Sequence, residues 1–352
     1  MVTVTRETDH LRERMSRYLD EFLERETAKL AFLGEDLDLL RDTLLGFVRQ
    51  GGKRLRPAFV HWGHRAAGGE PGDPGDEAVL AAGCAVELVH ACALILDDVM
   101  DEAETRRGRP AVHLALAEHH GGRDWRGDGR RFGESAATLF GMLAYTWADA
   151  ALLRAGPHLT DAFEVFTRMR TEVVGGQYLD LAYAARGASG PAEAARVATY
   201  KSAKYTIEHP LHLGHAVAGG DPRLRASLSA YALPLGEAFQ LRDDVLGVFG
   251  DPEVTGKPVG ADLRQGKHTW LTATARERAG GYGAALLDHV HDEADVAAAR
   301  QLIVTTGALE TAEERITDLV SLARTALDEA GLSAEVVRGL GELADLATRR
   351  RA

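Results

Sequence analysis

Helical periodicity along most of the chain, without convincing strand alternation, predicts an all-α fold. Two further observations make it a single-domain helical bundle over residues 1–352. The periodic stretches are separated by Gly/Pro clusters that read as inter-helix loops, and neither a compositional shift nor a fixed-period repeat marks a second domain.

Apolar residues recur at spacings of three and four in 11–33, 37–49, 55–67, 134–154, 160–185, 191–218, 223–247, 294–306 and 311–330. The breaks include GGEPGDPG (Gly68 to Gly75), GASGP (Gly187 to Pro191) and GGDP (Gly219 to Pro222). Between the first break and residue 96 lies an almost wholly apolar run, Ala78 to Leu96. It is long enough for a membrane span, but Glu87 and His90 interrupt it and an acidic cluster follows with no basic flank. The run is therefore read as a buried helix over 76–102 in the bundle interior. The polar, Gly-rich segment 118–133 has no apolar face and is read as a mobile surface loop.

Of 352 residues, 45% are hydrophobic and 27% charged, as in an ordinary globular chain, and the net charge of -12 disfavours nucleic acid as a partner. Residues Met1 to His10 contain no apolar core of a secretory signal, and no transmembrane segment is expected. Cys84 and Cys92 would stand about 12 Å apart along one helix, beyond disulfide reach. Free thiols point to a reducing, cytoplasmic compartment.

The chemistry is concentrated in LDDVMDEAETRRGRP, from Leu96 to Pro110. Asp97 and Asp101 are four residues apart, so on a helix both carboxylates project from one face. Carboxylates packed that closely repel unless cations lie between them, and hard oxygen donors suit Mg²⁺ held jointly with substrate phosphates. A second pair, Asp243 and Asp244, lies far downstream in FQLRDD. Basic groups accompany the acids. GGKRLRP (Gly51 to Pro57) places glycines before a helix start with Lys53 and Arg56 on one face, a natural clamp for a diphosphate. Others are Arg106, Arg107, Lys201, Lys204, Lys257 and Lys267.

Read in order, G-G-K-R-L-R-P, D-D-V-M-D followed by R-R-G, K-S-A, and F-Q-L-R-D-D followed by G-K and D-L-R-Q-G-K closely resemble the trans-isoprenyl diphosphate synthase family over about residues 45–275. The resemblance implies a helical bundle around a central cavity and a head-to-tail condensation of isopentenyl diphosphate with an allylic diphosphate. Its catalytic set would be Asp97, Asp98, Asp101, Asp243 and Lys201. Three Mg²⁺ ions would be held by Asp97, Asp101, Asp243 and Asp244. Arg106, Lys201, Ser202, Gln240, Lys257 and Lys267 would bind the allylic diphosphate, and Lys53, Arg56, His90 and Arg107 the isopentenyl diphosphate. Ionisation of the allylic C–O bond would give a cation attacked by the isopentenyl double bond, with the released diphosphate taking the last proton. A homodimer is implied as well.

Three positions depart from the family pattern: Gly247 stands where a third Asp is frequent, Leu96 where His is common, and Met142 where an Asp would follow Gly141. Cys92 and Ala93 lie five and four residues before Asp97, about 7.5 and 6 Å down the helix. Both are small, which favours chain growth to twenty carbons, so a geranylgeranyl diphosphate synthase is the leading expectation. A farnesyl or longer-chain synthase, a class I terpene cyclase and a non-catalytic subunit of a heteromeric synthase remain as alternatives.

Overall fold

The structure, a computed structural model, describes residues 2–50, 52–70, 72, 75–187, 190–251 and 259–348. It is built from helices, in keeping with the periodicity. In chain order these are α1 (Val2–Ala28), α2 (Asp38–Arg49), α3 (Leu55–Ala66), α4 (Gly75–Met100), α5 (Val112–Gly122), α6 (Gly129–Leu152), α7 (Leu159–Arg186) and α8 (Pro191–Val197). A π-helical segment, Ala198–Glu208, leads into α9 (His209–Val217) and α10 (Leu224–Phe249). Then come the single turn α11 (Ala261–Arg264), α12 (Trp270–Asp288), α13 (Glu293–Thr305), α14 (Ala308–Glu329) and α15 (Ala334–Thr348).

Where the sequence predicts one domain, the chain divides into two compact units, Met1–Glu164 with Leu213–Gly220, and Val165–His212 with Asp221–Ala352. Two of the three boundaries fall inside α7 and α9. Helix-forming sequence runs straight through them, so no linker composition could reveal them.

In the first unit α4 packs against α1, α2, α3, α5 and α6. Its length and hydropathy would suit a membrane span, but most of its apolar stretch is buried. Gly83 permits a close approach: a Cβ there would lie 2.8 Å from Met15 Sδ and 3.2 Å from Pro57 Cβ. Trp62, Phe59, Phe22, Leu88 and Ile95 are among the fully buried side chains of this core. In the second unit α10 is the corresponding hub, packing on the π-helical segment, α11, α12, α14 and α15. Val245 and Val248 enter a core with Leu263, Leu271, Val296 and Ile303. Tyr231 Oη donates to the Leu340 carbonyl at 2.7 Å, and Arg242 grips both oxygens of Glu313 at 2.7 Å, tying α10 to α15 and α14.

One sequence expectation is corrected. Segment 118–133 is not one loop: α5 runs to Gly122 and α6 starts at Gly129, leaving only 123–128 between helices. Trp125 packs edge-on against His119, His120 and Phe132, and the Asp128 side chain caps α6 by accepting from Arg131 N at 2.7 Å. That ring cluster supplies the apolar contacts which the polar sequence conceals. Strand structure is also present, as a ladder of two residues on each side, Thr105–Arg106 against Arg109–Pro110, too short for alternation to show.

Candidate active site

The short hairpin after α4 positions the first cluster. Glu102 ends the helical run with a left-handed backbone, φ 50°, and Ala103 N donates to the Asp98 carbonyl at 2.9 Å. The two-residue turn Arg107–Gly108 then has both φ values positive, 54° and 73°, as tight hairpins of right-twisted strands require. Gly108 accepts this conformation without strain, whereas Arg107 is a non-glycine residue in a region costing about 1–2 kcal/mol. Arg54, which precedes the first turn of α3, is also left-handed at φ 48°. Backbone strain of this kind concentrates where function needs a side chain aimed.

The hairpin carries Arg106 back onto the end of α4. Its Nε donates to both oxygens of Asp98, at 2.9 and 3.1 Å, and its Nη2 lies 3.4 Å from Asp97 Oδ2. Asp98 is fully buried, and burial raises its carboxyl pKa, the Arg106 bonds offsetting this only in part. Asp98 thus serves to hold Arg106. Asp97 and Asp101 are half-buried on the neighbouring face, the Asp101 amide bonding the Asp97 carbonyl at 2.8 Å as in a continuing helix.

Two to three turns earlier on α4, Glu87 and His90 meet the basic start of α3. Arg54 forms a buried ion pair with Glu87 and donates to the Val48 carbonyl at 2.8 Å. Its role in the site could not be read from sequence, since nothing local distinguishes it from Lys53 and Arg56. His90 is held far below its ordinary pKa by desolvation first and then by Arg56, Arg107, Arg106 and Arg54, so it is neutral near pH 7. Arg107 is lowered by partial desolvation and by Arg54, Arg106 and Arg56, and its guanidinium would be 3.3 Å from a Cβ at Gly52. Lys53 is exposed at the approach to this cluster. Cys92 is buried, with its thiol pushed up to about 11 by desolvation, and Ala93 is half-buried beside it.

In the second unit, Lys201 and Ser202 are half-buried on the π-helical segment, and Lys201 Nζ donates to Asp180 Oδ2 at 2.7 Å. Asp243 is half-buried on α10 while Asp244 is buried and accepts from Gln240 Nε2 at 2.7 Å. Burial lifts Asp244 to about 7; the Gln240 bond opposes this and Asp262 and Asp243 add to it. Lys267 is half-buried just after α11, its amide bonding the Asp262 carbonyl at 3.0 Å. Lys257 lies outside the described residues.

The three departures acquire physical explanations. A side chain at Gly247 would run into the Asp262 carboxylate, with its Cβ 2.6 Å from Asp262 Cγ. The bare backbone leaves room for an acid delivered from α11, a residue that spacing within α10 cannot reveal. Leu96 turns toward α6, where a Cβ at Gly141 would be 3.2 Å from its Cγ and Cδ2. Met142 is exposed on the outer face of α6.

Each unit therefore offers half-buried carboxylates next to arginine or lysine, with several arginines around a neutral histidine in the first. This is the character of a site for a multiply charged anion and divalent cations. Comparison with known proteins identifies it more closely. The polyprenyl synthetase family model matches residues 38–305, and the chain belongs to that family. It is similar to the short chain isoprenyl diphosphate synthase of Methanothermobacter thermautotrophicus, at 34% identity over 83% of this chain and 86% of that protein. It is also similar to the geranylfarnesyl diphosphate synthase of Aeropyrum pernix, at 32% over 84% and 89% respectively. Among solved structures, geranylgeranyl pyrophosphate synthase from Corynebacterium glutamicum, complexed with isoprenyl diphosphate and magnesium, superposes with a TM-score of 0.92 at 38% identity, covering 97% of this chain and 99% of that one. The protein is accordingly a head-to-tail prenyltransferase with the isoprenoid synthase fold.

Gly247→Ala should lower the melting temperature by several degrees, roughly the 1–3 kcal/mol typical of overpacking. Adding Asp262→Ala should recover part of that loss. Thermal denaturation of both variants checks it: an unperturbed Gly247→Ala melt contradicts the close approach of Asp262.

Proposed function

We propose that the protein elongates an allylic diphosphate with isopentenyl diphosphate, giving geranylgeranyl diphosphate. The observation that carries the two-substrate reading is the arginine group around His90. Arg54 has a buried counter-ion in Glu87, and Arg106 is held by Asp97 and Asp98. Arg56 and Arg107 stand with them among the cations that hold His90 neutral, and they are the cations assigned to a diphosphate, with Lys53 at the approach. Neutral His90 can donate a hydrogen bond to a phosphate oxygen without adding a proton equilibrium near pH 7. A cyclase, which takes one diphosphate, has no use for this second basic group.

The carboxylates Asp97, Asp101, Asp243 and Asp244 are hard oxygen donors suited to Mg²⁺, and three ions are expected with them. When bound, the metal would supply positive charge to the diphosphate leaving group. Arg106, held in place by Asp98, would bind the allylic diphosphate together with Lys201, Ser202 and Gln240, and with Lys257 and Lys267 after substrate entry. These cations would stabilise charge on the departing oxygen as the allylic C–O bond breaks. The isopentenyl double bond then attacks the allylic cation, forming the new C–C bond, and transfer of a proton from the resulting cation to the released diphosphate restores the double bond. Buried side chains such as Tyr205 and Leu88 help exclude water, which would quench the cation.

Buried Cys92 and half-buried Ala93 leave the helix narrow one turn before Asp97, which favours a twenty-carbon product. Both cysteines are free and buried, consistent with a cytoplasmic setting. The outer face of α6 exposes Leu139 and Met142, with Leu153 just beyond its end, an apolar surface suited to a second copy of the chain.

The deciding assay incubates the protein with Mg²⁺, labelled isopentenyl diphosphate and each allylic primer and sizes the dephosphorylated products. No elongation with any primer contradicts the synthase reading. Asp97→Ala, Asp101→Ala and Asp243→Ala should each retain the fold and lose about two to three orders of magnitude in turnover. Near-normal turnover in any of them at saturating Mg²⁺ removes that residue from the metal set. Cys92→Phe or Ala93→Phe should shorten the product toward farnesyl diphosphate, because a packed core resists displacement. Unchanged chain length by mass spectrometry in active, folded variants shows that these residues do not limit the growing chain.

A further inference from the structure

Glu172, Gly176 and Asp180 are spaced by four on α7 and form one stripe along it. The π-helical segment lies against this stripe. At one end Lys201 Nζ meets Asp180 Oδ2 at 2.7 Å; at the other, Lys204 Nζ meets Glu172 Oε2 at 3.0 Å and Glu208 Oε2 at 3.2 Å. Midway, Gly176 has space for hydrogen alone, since a Cβ would lie 2.6 Å from Lys201 N and 2.8 Å from the Tyr200 carbonyl carbon. On the opposite side Gly236 of α10 forms a second notch, where a Cβ would be 2.5 Å from Ala203 Cβ. The segment is gripped between two glycine notches and two ion pairs.

The Glu172–Lys204 pair is set into a wider polar network. Both side chains are about one-fifth exposed, at 22% and 21%. Glu172 also bonds His209 Nε2 at 2.9 Å, and Glu208 accepts from Ser229 Oγ at 2.7 Å, which in turn meets His212 Nε2 at 3.1 Å. Burial alone would raise Glu172 and lower Lys204; the hydrogen bonds from His209 and Lys204 reverse the first, and Glu172 and Glu208 reverse the second. The cluster is charged, partly desolvated and built at one place on the segment. π-Helical turns are rare and cluster at functional sites. Relaxation of such a segment to α-helix would turn the residues on one side by about 100° per residue of register, carrying Lys201 away from its present direction.

We propose that Lys204, clamped by Glu172 and Glu208, is a positioning residue that holds the π-helical segment in register and thereby aims the Lys201 ammonium at the allylic diphosphate. The proposal rests on the reading that Lys201 binds that diphosphate. It assigns Lys204 and Glu172 to the reaction although neither touches substrate.

The test measures both KM values, turnover and melting temperature for Lys204→Met, Lys204→Arg and Glu172→Gln, and for Lys204→Met combined with Lys201→Ala. Lys204→Met should raise the KM for the allylic diphosphate about tenfold and leave that for isopentenyl diphosphate within about twofold. Lys204→Arg should recover most of the loss. In the Lys201→Ala background, Lys204→Met should add little further to the allylic KM, the non-additivity expected of residues acting through one another. An unchanged allylic KM in folded Lys204→Met, equal increases for both substrates, or full additivity overturns the proposal. Should Lys204→Met fail to fold, the near-isosteric Glu172→Gln takes its place: a selective rise in the allylic KM supports the positioning role, and an unchanged or unselective KM overturns it. Lys201→Ala alone separates the two levels: if it leaves the allylic KM unchanged, the assignment of Lys201 fails and the proposal with it, whereas an effective Lys201→Ala beside a silent Lys204→Met removes the positioning role alone.

Discussion

Helix α4 is so apolar that it must be covered on nearly every side, yet it carries Glu87 and His90 along its length and Asp97 and Asp98 in its last turn, with Asp101 just beyond. Desolvated charge is costly unless paired, and that constraint accounts for most of the polar architecture of the first unit. Glu87 draws Arg54 inward, Asp98 draws Arg106, and His90 stays neutral among arginines. Asp97 and Asp101 stand half-buried at the end of that helix, Asp97 within 3.4 Å of Arg106, and their carboxylates are hard oxygen donors of the kind a divalent cation takes.

Meeting these demands requires unusual backbone. Arg54 and Arg107 both adopt left-handed φ values, and each belongs to the basic cluster. The second unit uses a different device: glycines at 176, 236 and 247 remove side chains so that the π-helical segment and the Asp262 carboxylate can approach α7 and α10. Strained backbone and absent side chains serve the same end, which is to aim a few charged groups from packed helices.

Much of this is legible in the sequence. Regular apolar spacing exposes most of the helices, and the four-residue separation of Asp97 and Asp101 is enough to put them on one face. Helix α5 escapes because HLALAEHHGG lacks a polar–apolar division, and α12 because glycines interrupt it, Gly280 sitting at φ 69°. The hairpin is invisible because two-residue strands have no periodicity. Lys204 reads only as one basic group among several, and Arg54, Glu172 and Asp262 do not stand out in the sequence as site residues at all, for a deeper reason. Their importance lies in what folding brings to them, Glu87 to Arg54, Lys204 to Glu172 and the open backbone at Gly247 to Asp262, and each of these partners is distant in sequence. Gly247 itself reads as a missing ligand and is instead the opening through which another acid reaches α10.

The proposed function divides the labour between an arginine cluster that would hold isopentenyl diphosphate without metal and a second group in which carboxylate-bound metal would act with Arg106 and Lys201 on the allylic diphosphate. Calorimetric titration of the protein with isopentenyl diphosphate and with an unreactive thiolo analogue of an allylic diphosphate, each with Mg²⁺ and with chelator, tests this division directly. Binding of isopentenyl diphosphate should persist in chelator while binding of the allylic analogue is lost or weakened by at least about tenfold, a difference of roughly 1.4 kcal/mol. Equal dependence of both ligands on Mg²⁺, or independence of both, would contradict it.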